Sequence, residues 1–264
     1  MAQFLESERH GRILRLTLNR PDKANALNAE LCCELVETLG HADRDPHVGA
    51  IVLGANGKSF CAGMDLDDAL RGHFDRFNQV HEQLFTLYAR MGKPLVAAVQ
   101  GPALGGGTGL VANFHHVVAS EDARFGLTEI RLGLWPFLVY SAMSLAVGER
   151  RTVELALTGR IFGAGEGKEL GLVHEIAADP AQRAMEIAEG MANSSPTAIR
   201  AGLEFVQEAR GKSWDAASQI ARRVRDEIFR SADFAEGIAA FREKRSPRWP
   251  SLEDGGQNSG GEPL

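Results

Sequence analysis

Residues 94–109 read PLVAAVQGPALGGGTG, and this stretch decides the fold. Its first half, Leu95–Val99, is a short apolar run typical of a strand buried on both faces of a parallel sheet. Three consecutive glycines, Gly105–Gly107, follow and lead into a helix predicted around residues 110–114. Small residues between a strand and a helix let backbone N–H groups approach something other than a side chain. The stretch therefore predicts a binding feature where this strand ends.

A second strand followed by small residues lies earlier in the chain. Ala50–Gly54 predicts a buried strand, and residues 59–66 after it read SFCAGMDL. Two backbone N–H groups from separate strands, one of them at a helix start, can hold an oxygen on which negative charge develops. Together the two segments predict a site for enolate chemistry on an activated acyl group.

The remaining pattern predicts alternating strands and helices, followed by a largely helical C-terminal part. Strands are predicted at residues 12–19, 50–54, 95–99, 117–119 and 173–176. Helices are predicted after the N-cap Asn28, and at residues 74–91, 110–114, 137–147, 151–157, 165–170, 181–192, 196–209, 214–229 and 233–244. This order is typical of an α/β fold with an added helical region.

The chain of 264 residues is long enough for one large or two small domains. We expect an α/β core over residues 1–195, which carries the acyl site, and a helical region over residues 196–250. Residues 251–264 are rich in glycine, serine and acidic residues, which predicts a disordered tail.

Composition and charge narrow the class of protein. Apolar residues make up 44% of the chain and charged residues 24%, as is ordinary for a soluble globular protein. The formal net charge of −6 argues against a nucleic acid partner. No apolar run approaches the roughly 20 residues that span a bilayer, and the polar start of the chain does not have the pattern of a secretory leader. We therefore expect a cytoplasmic protein without a membrane partner.

Cysteine and histidine positions predict no metal site. Cys32 and Cys33 are neighbours on a predicted helix and diverge, and Cys61 stands alone, so the three thiols form neither a disulfide framework nor a metal-ligand spacing. His115 and His116 also point apart, and no third ligand is evident. We interpret Cys61 as a packing residue near the acyl site, open to alkylation if the pocket is open.

Two local patterns leave alternatives open. Residues 107–112 fit the dinucleotide fingerprint G-x-G-x-x-G/A, which would indicate a nicotinamide-dependent oxidoreductase. Seven residues, 100–106, separate this motif from the preceding strand, and the motif lies in the middle of the chain, so this interpretation is the weaker one. His81, on the long predicted helix, either packs in the core or lines an acyl pocket.

Five ordered segments make the chain resemble the enoyl-CoA hydratase/isomerase family, also called the crotonase superfamily. They are residues 18–28, 59–66, 94–109, 125–129 and 236–245. The resemblance implies a spiral of ββα units, a C-terminal helical trimerisation region, and assembly into trimers or dimers of trimers. It also implies an acyl-CoA thioester as ligand, with coenzyme A arriving as part of the substrate and no other cofactor.

The resemblance also implies which residues form the site. By position, the two N–H donors of the family's oxyanion hole fall on Met64 and Gly106. In similar proteins coenzyme A runs past the positions of Lys23, Ala24, Ala26, Ala62, Asp65 and Leu66. Phe241 and Lys244 match residues that reach the coenzyme A of a neighbouring subunit.

Similar hydratases use two glutamates, of which this chain has one. The second is present as Glu129, whereas the first position is Gly109, which has no side chain to act as acid or base. Residues 128–137, TEIRLGLWPF, are similar to Δ3,Δ2-enoyl-CoA isomerases, in which one base suffices to move a double bond. We therefore expect isomerisation of 3-enoyl-CoA with Glu129 as base. The alternatives are a 2-enoyl-CoA hydratase and a catalytically impaired protein that binds coenzyme A.

Overall fold

The computed structural model describes residues 4–70 and 74–253. Its strands are β1 (Leu5–His10), β2 (Ile13–Leu18), β3 (Ala50–Ala55), β4 (Leu95–Val99), β5 (Ala103–Leu104), β6 (His116–Ala119), β7 (Arg124–Gly126), β8 (Phe162–Gly163) and β9 (Glu175–Ile176). Its α-helices are α1 (Ala29–Arg44), α2 (Leu66–Ala69), α3 (Phe74–Tyr88), α4 (Gly106–Ala112), α5 (Tyr140–Val147), α6 (Glu149–Thr158), α7 (Ala164–Leu170), α8 (Pro180–Ala192), α9 (Pro196–Ala209), α10 (Trp214–Phe229), α11 (Ala232–Glu243) and α12 (Pro250–Glu253). Short 3-10 helices lie at Pro21–Lys23 and Glu129–Leu132.

A six-stranded sheet in the order β1-β2-β3-β4-β6-β9 forms the centre of the molecule. Strand β1 pairs antiparallel with β2, and every later pair in this sheet is parallel. Parallel neighbours need crossover connections, which α1 supplies between β2 and β3, and α3 between β3 and β4. The fold is therefore α/β, as the sequence predicts.

The two faces of this sheet are buried against different partners. On one face Leu16 and Leu53 join the main apolar core, together with α1, α3 and α4. On the other face Val52 and Val96 pack against α8. This helix presents the small residues Ala184, Ala188 and Ala192, which lie four apart and so share one helix face. Burial on both faces explains why the parallel strands are nearly continuous apolar runs.

A second sheet brings the glycine-rich segment to the residues that follow β7. Its order is β5-β7-β8, with β5 parallel to β7 and β8 antiparallel to it. Leu104 lies opposite Gly126 in the register, and the Gly105 N–H donates to the Gly126 carbonyl at 2.8 Å. Residues 105–106 and 127–129 are therefore neighbours, although they are distant in sequence.

The C-terminal helices start where the sequence provides capping side chains. Ser195, Ser213 and Ser231 each accept a hydrogen bond from the N–H three residues later, at the starts of α9, α10 and α11. Within the part of the chain described, α9 and α10 bury no residue completely. The trimerisation role of this region and the domain limits at residues 195 and 250 stay predictions.

The segment predicted to be a disordered tail begins with helical residues. Ser251 lies in α12, where its N–H and its hydroxyl both donate to the buried Asp233 carboxylate, at 3.0 and 2.7 Å. Residues 251–253 are therefore helical, although the sequence predicts the start of a disordered tail there. The rest of the predicted tail, residues 254–264, lies outside the described residues.

Among the residues described, no helix combines the length and the apolar character that crossing a bilayer requires.

Candidate active site

A cavity of about 620 Å³ opens beside the start of α4, with α3 on one side and residues 128–139 on another. Its wall is mostly apolar and includes Leu27, Met64, Phe77, Phe85, Trp135 and Val139. A few polar groups, among them Glu129 and His81, also face it. Size, apolar lining and a few convergent polar groups are typical of a small-molecule site.

Residues 61–65 cross the floor of this cavity as an extended segment held on both sides. On one side the Leu104 N–H donates to the Cys61 carbonyl at 2.9 Å. On the other side the Leu27 N–H donates to the Gly63 carbonyl at 2.7 Å, and the Asp65 N–H donates to the Leu27 carbonyl at 3.0 Å. Because these bonds engage residues 63 and 65, the Met64 N–H between them points away from Leu27.

The amides of Met64 and Gly106 lie close together. Gly63 has φ +94°, and a Cβ on it would lie 3.1 Å from the Gly106 nitrogen and 2.7 Å from the Leu104 carbonyl oxygen. A Cβ on Gly106 would in turn lie 3.8 Å from the Met64 nitrogen. Neither amide donates to another protein group within the described residues, and Gly106 begins α4, where the N–H has no partner inside the helix. The structure thus brings together two free N–H donors.

Glu129 stands over the N-terminal end of α4. It follows β7, whose pairing with β5 carries it to Gly105, and its Oε1 lies 3.2 Å from the position of a Cβ on that glycine. Its Oε2 is buried and has no hydrogen-bond partner among the described residues. Burial raises the pKa of the Glu129 carboxyl above its usual value, although the residue's own N–H opposes the shift. A partly desolvated carboxyl that lines the same cavity as two N–H donors can exchange a proton with a bound acyl group.

Val139 covers Gly109, the position at which similar hydratases have their other glutamate. Gly109 is buried in α4, and a Cβ on it would lie only 2.1 Å from Cγ1 of Val139 and 2.4 Å from its Cβ. Val139 is itself buried and lines the cavity. Sequence reasoning did not single out Val139; the available signal was Gly109, since a glycine inside a helix often marks a close approach.

The predicted coenzyme A loop, residues 23–26, adjoins the cavity. The Ala62 N–H donates to the Ala24 carbonyl at 3.0 Å, and Ala62 lines the cavity. Asn25 is fully buried with φ +55°, and its amide nitrogen donates to the carbonyls of Asn56 and Ser59, both at 2.9 Å. Asn25, which the sequence reasoning did not single out, fixes this loop.

Of the other residues predicted to contact coenzyme A, some line the cavity and some do not. Leu66 lines the cavity, whereas the Asp65 carboxylate accepts from the buried Arg20 guanidinium at 3.0 Å and caps α2. Burial alone would raise the pKa of Asp65, but these hydrogen bonds lower it. The Asp65 side chain is therefore not a cavity residue, because Arg20 holds it. Phe241 and Lys244 are exposed on α11 and at its C-cap, and neither lines the cavity of this chain.

The structure shows whether two further residues, His81 and Cys61, line the cavity, which the sequence left open. His81 is buried and lines the cavity, with Nδ1 at 2.8 Å from the Phe77 carbonyl and Nε2 at 3.2 Å from the Leu27 carbonyl. Cys61, the first residue of the 61–65 segment, is fully buried and does not line the cavity. Burial raises the pKa of its thiol to about 12, so it is a packing residue that alkylating reagents do not reach.

His115 and His116 have separate roles in the sheet. His115 Nδ1 accepts from the Leu95 N–H at 2.9 Å, and the His116 ring stacks on that of His174. Within the described residues, no cluster of three or more side chains suited to a metal ion is present.

Comparison with known proteins identifies the family of this chain. The family model described as enoyl-CoA hydratase/isomerase matches residues 8–252. A 2,3-dehydroadipyl-CoA hydratase of Escherichia coli is 34% identical, covering 94% of this chain and 98% of its own length. An enoyl-CoA hydratase of Mycobacterium tuberculosis is also 34% identical, covering 92% of this chain and 94% of its own.

Solved structures show the same fold. The crystal structure of an enoyl-CoA hydratase from Bacillus anthracis superposes with a TM-score of 0.89 at 29% identity, covering 94% of this chain and all of that one. The crystal structure of an enoyl-CoA hydratase from Mycobacterium smegmatis gives a TM-score of 0.88 at 30% identity. The match covers 94% of this chain and 99% of that one. The chain is thus an enzyme with the crotonase fold, and it belongs to the enoyl-CoA hydratase/isomerase family.

Proposed function

We propose that this enzyme moves the double bond of a 3-enoyl-CoA to give the 2-enoyl-CoA. The observation that supports the proposal most directly is the Glu129 carboxyl, whose buried Oε2 has no hydrogen-bond partner among the described residues and which lines the same cavity as the amides of Met64 and Gly106. Position 109 supplies no second carboxylate, and Val139 leaves no room for one. One base is enough for an isomerisation, because the proton taken from one carbon returns to another.

In the proposed mechanism Glu129 removes a proton from C2 of the substrate. The electron pair of that C–H bond forms the enolate, whose oxygen accepts hydrogen bonds from the amides of Met64 and Gly106. The same carboxyl then returns the proton to C4, and the double bond comes to lie between C2 and C3. No water is consumed, and the glutamate is regenerated.

The environment of the site suits both the carboxylate of Glu129 and the negative charge that develops on the enolate oxygen. Loss of one oxyanion donor in other enzymes costs about 2.7–4 kcal/mol of transition-state stabilisation, so the two amides carry a large share of the rate. The Gly106 amide lies at the start of α4, where the helix dipole favours negative charge. The apolar wall strengthens these interactions because it excludes water from the enolate.

We further propose that coenzyme A lies along residues 23–26 and 62–66. Ala24, Ala26 and Ala62 are half-buried or exposed next to the cavity, and Lys23 is exposed beside them. Phe241 and Lys244 are proposed to contact the coenzyme A of a neighbouring subunit in a trimer or dimer of trimers. No cofactor beyond the substrate's own coenzyme A is part of the proposal.

Hydration of a 2-enoyl-CoA is the second candidate, favoured by the names of the relatives. Both curated relatives described above are named hydratases. In this reaction Glu129 would act on a water molecule instead of a carbon-bound proton.

Paired 2-enoyl- and 3-enoyl-CoA substrates in water enriched in heavy oxygen separate the two reactions. Isomerisation converts the 3-enoyl substrate without gaining label, whereas hydration places label in a 3-hydroxyacyl product. We expect unlabelled 2-enoyl-CoA from the 3-enoyl substrate. Labelled product as the main outcome would replace the proposal with hydration, and binding without turnover would indicate a protein that only binds coenzyme A.

The role of Glu129 has its own test. We expect Glu129→Gln to lower kcat by roughly 10²–10⁴-fold, the range that a general base contributes. The matched control is Glu121→Gln, which removes an exposed carboxyl from the turn before β7. Undiminished turnover by Glu129→Gln would remove this residue from the mechanism.

A further inference from the structure

Two glycines, one turn apart, shape the α4 side of the cavity. Gly105 and Gly109 are four residues apart, and the Gly109 N–H donates to the Gly105 carbonyl at 3.1 Å. Gly105 is the N-cap residue of α4, with φ +52°, whereas Gly109 lies inside the helix. The side chains that cover these two glycines both line the cavity.

Different side chains cover these two positions. The Glu129 carboxyl covers Gly105, with Oε1 at 3.2 Å from the position of a Cβ there. Val139 covers Gly109 so closely that three of its side-chain carbons lie within 3.2 Å of the position of a Cβ on that glycine. Glu129 and Val139 thus line the same cavity beside the start of α4.

In this arrangement Glu129 Oε2 is buried. A carboxylate oxygen normally accepts hydrogen bonds, yet Glu129 Oε2 has none among the described residues. The hydroxyl Oγ1 of Thr128 lies 3.7 Å from the position of a Cβ on Gly105, near which the Glu129 carboxyl also lies. A water molecule at this place would meet two polar groups, the hydroxyl of Thr128 and the carboxyl of Glu129. The space on the Gly109 side is filled by the methyl groups of Val139.

We propose that Val139 determines the reaction specificity of this site by filling the space where a water molecule would bind Glu129. This inference rests on the proposed function and assigns the choice between isomerisation and hydration to one apolar side chain. With Val139 in place, the Glu129 carboxyl exchanges protons with carbon. With a smaller residue there, a water molecule can bind beside the carboxyl and compete for the substrate.

The test uses Val139→Ala and Val139→Ser, which remove the methyl groups that cover Gly109. The control Val139→Thr keeps the volume of valine and so frees no space. In heavy-oxygen water we expect the ratio of labelled 3-hydroxyacyl-CoA to unlabelled isomer to rise several-fold in the alanine and serine variants. The threonine variant should stay close to the wild-type ratio, and each variant is first checked for a normal melting curve.

A second measurement does not depend on turnover. Infrared titration of the Glu129 carboxyl, with Glu129→Gln as the baseline, should show its pKa moving back toward the usual value in Val139→Ala and Val139→Ser. If both the product ratio and the titration are unchanged in these variants, the inference is overturned. If wild type does not isomerise but the titration moves as expected, the proposed function fails while the water-excluding role of Val139 stands.

Discussion

Glu129 is destabilising where it stands, and this can be measured. Its folded-state pKa is raised above the usual 4.5, so between these two values the native protein binds more protons than the unfolded chain. The stability of the protein therefore falls as pH rises through this window, and the cost persists at neutral pH.

We expect Glu129→Gln to increase the free energy of unfolding near neutral pH while it abolishes turnover. In acid, below both pKa values, the two proteins should be equally stable. Urea unfolding at both pH values checks this, and a less stable glutamine variant at neutral pH would contradict it. For the same reason, kcat/KM of the wild type should fall on acidification at a pH above the usual glutamate pKa.

Residue-scale prediction from the sequence was possible where a backbone motif carried the information, and the roles of Met64, Gly106 and Glu129 stay predictions. The amides of Met64 and Gly106 come together because small residues follow two neighbouring strands, and Glu129 joins them through a short strand pair. Val139 and Asn25 were not anticipated, because their importance depends on contacts across the fold. The resemblance implies that coenzyme A runs past Asp65, whose side chain pairs with Arg20 and does not line the cavity, and this implied contact stays a prediction.

Among the connections between elements, a buried ion pair fixes the loop before α1 to the start of α2. The Arg20 guanidinium contacts Asp65 at 3.0 Å, and it also donates to the Ala26 carbonyl. Both side chains are about nine-tenths buried. The pair therefore links the proposed coenzyme A loop to the segment that carries the Met64 amide.

We expect Arg20→Met to lower the free energy of unfolding by about 3–5 kcal/mol, since it leaves the Asp65 carboxylate buried and unpaired. Lys23→Met is a matched control, because Lys23 and Asp67 form an exposed pair nearby at 3.2 Å. That change should cost at most about 1 kcal/mol. Denaturant unfolding measures both, and equal effects would contradict the role given to the buried pair.

Elements with caps or long periodic stretches were predictable, and short ones were not. The predicted limits of α9 and α10 agree with the structure because serine caps and a proline at the first turn of α9 define their starts. Strand β1 was missed because five of its six residues are exposed and polar, so only its pairing with β2 makes it a strand. Strands β5, β7 and β8 have two or three residues each, too few to show a period.

At the scale of the whole molecule, the C-terminal helices carry apolar side chains that this chain alone leaves uncovered. Trp214 is 91% exposed and Phe241 83% exposed, and Phe229, which stacks on Phe234, is more than half exposed. Aromatic side chains are enriched where proteins contact one another. This agrees with the trimer that the resemblance implies, which stays a prediction.

We expect light scattering to give a mass three or six times the 28.6 kDa of the chain. Phe241→Glu should shift this assembly toward smaller species, because it places a charge on the exposed surface of α11. Lys58→Glu, at an exposed position after β3, offers a comparison in which a charge changes outside the C-terminal helices. A single-chain mass at every concentration would contradict the prediction.

The residues that form the site are far apart in sequence, so the protein becomes active only after distant segments have paired. Leu27, Gly63, Gly106 and Glu129 come from four separate segments, joined only when both sheets have paired. A slip of one residue between β5 and β7 would reverse the side chains that follow and would carry the carboxyl away from the amides. Such a misassembled molecule would retain native helix content and yet be inert. Recovered turnover is thus a stricter gauge of renaturation than any spectrum of the backbone.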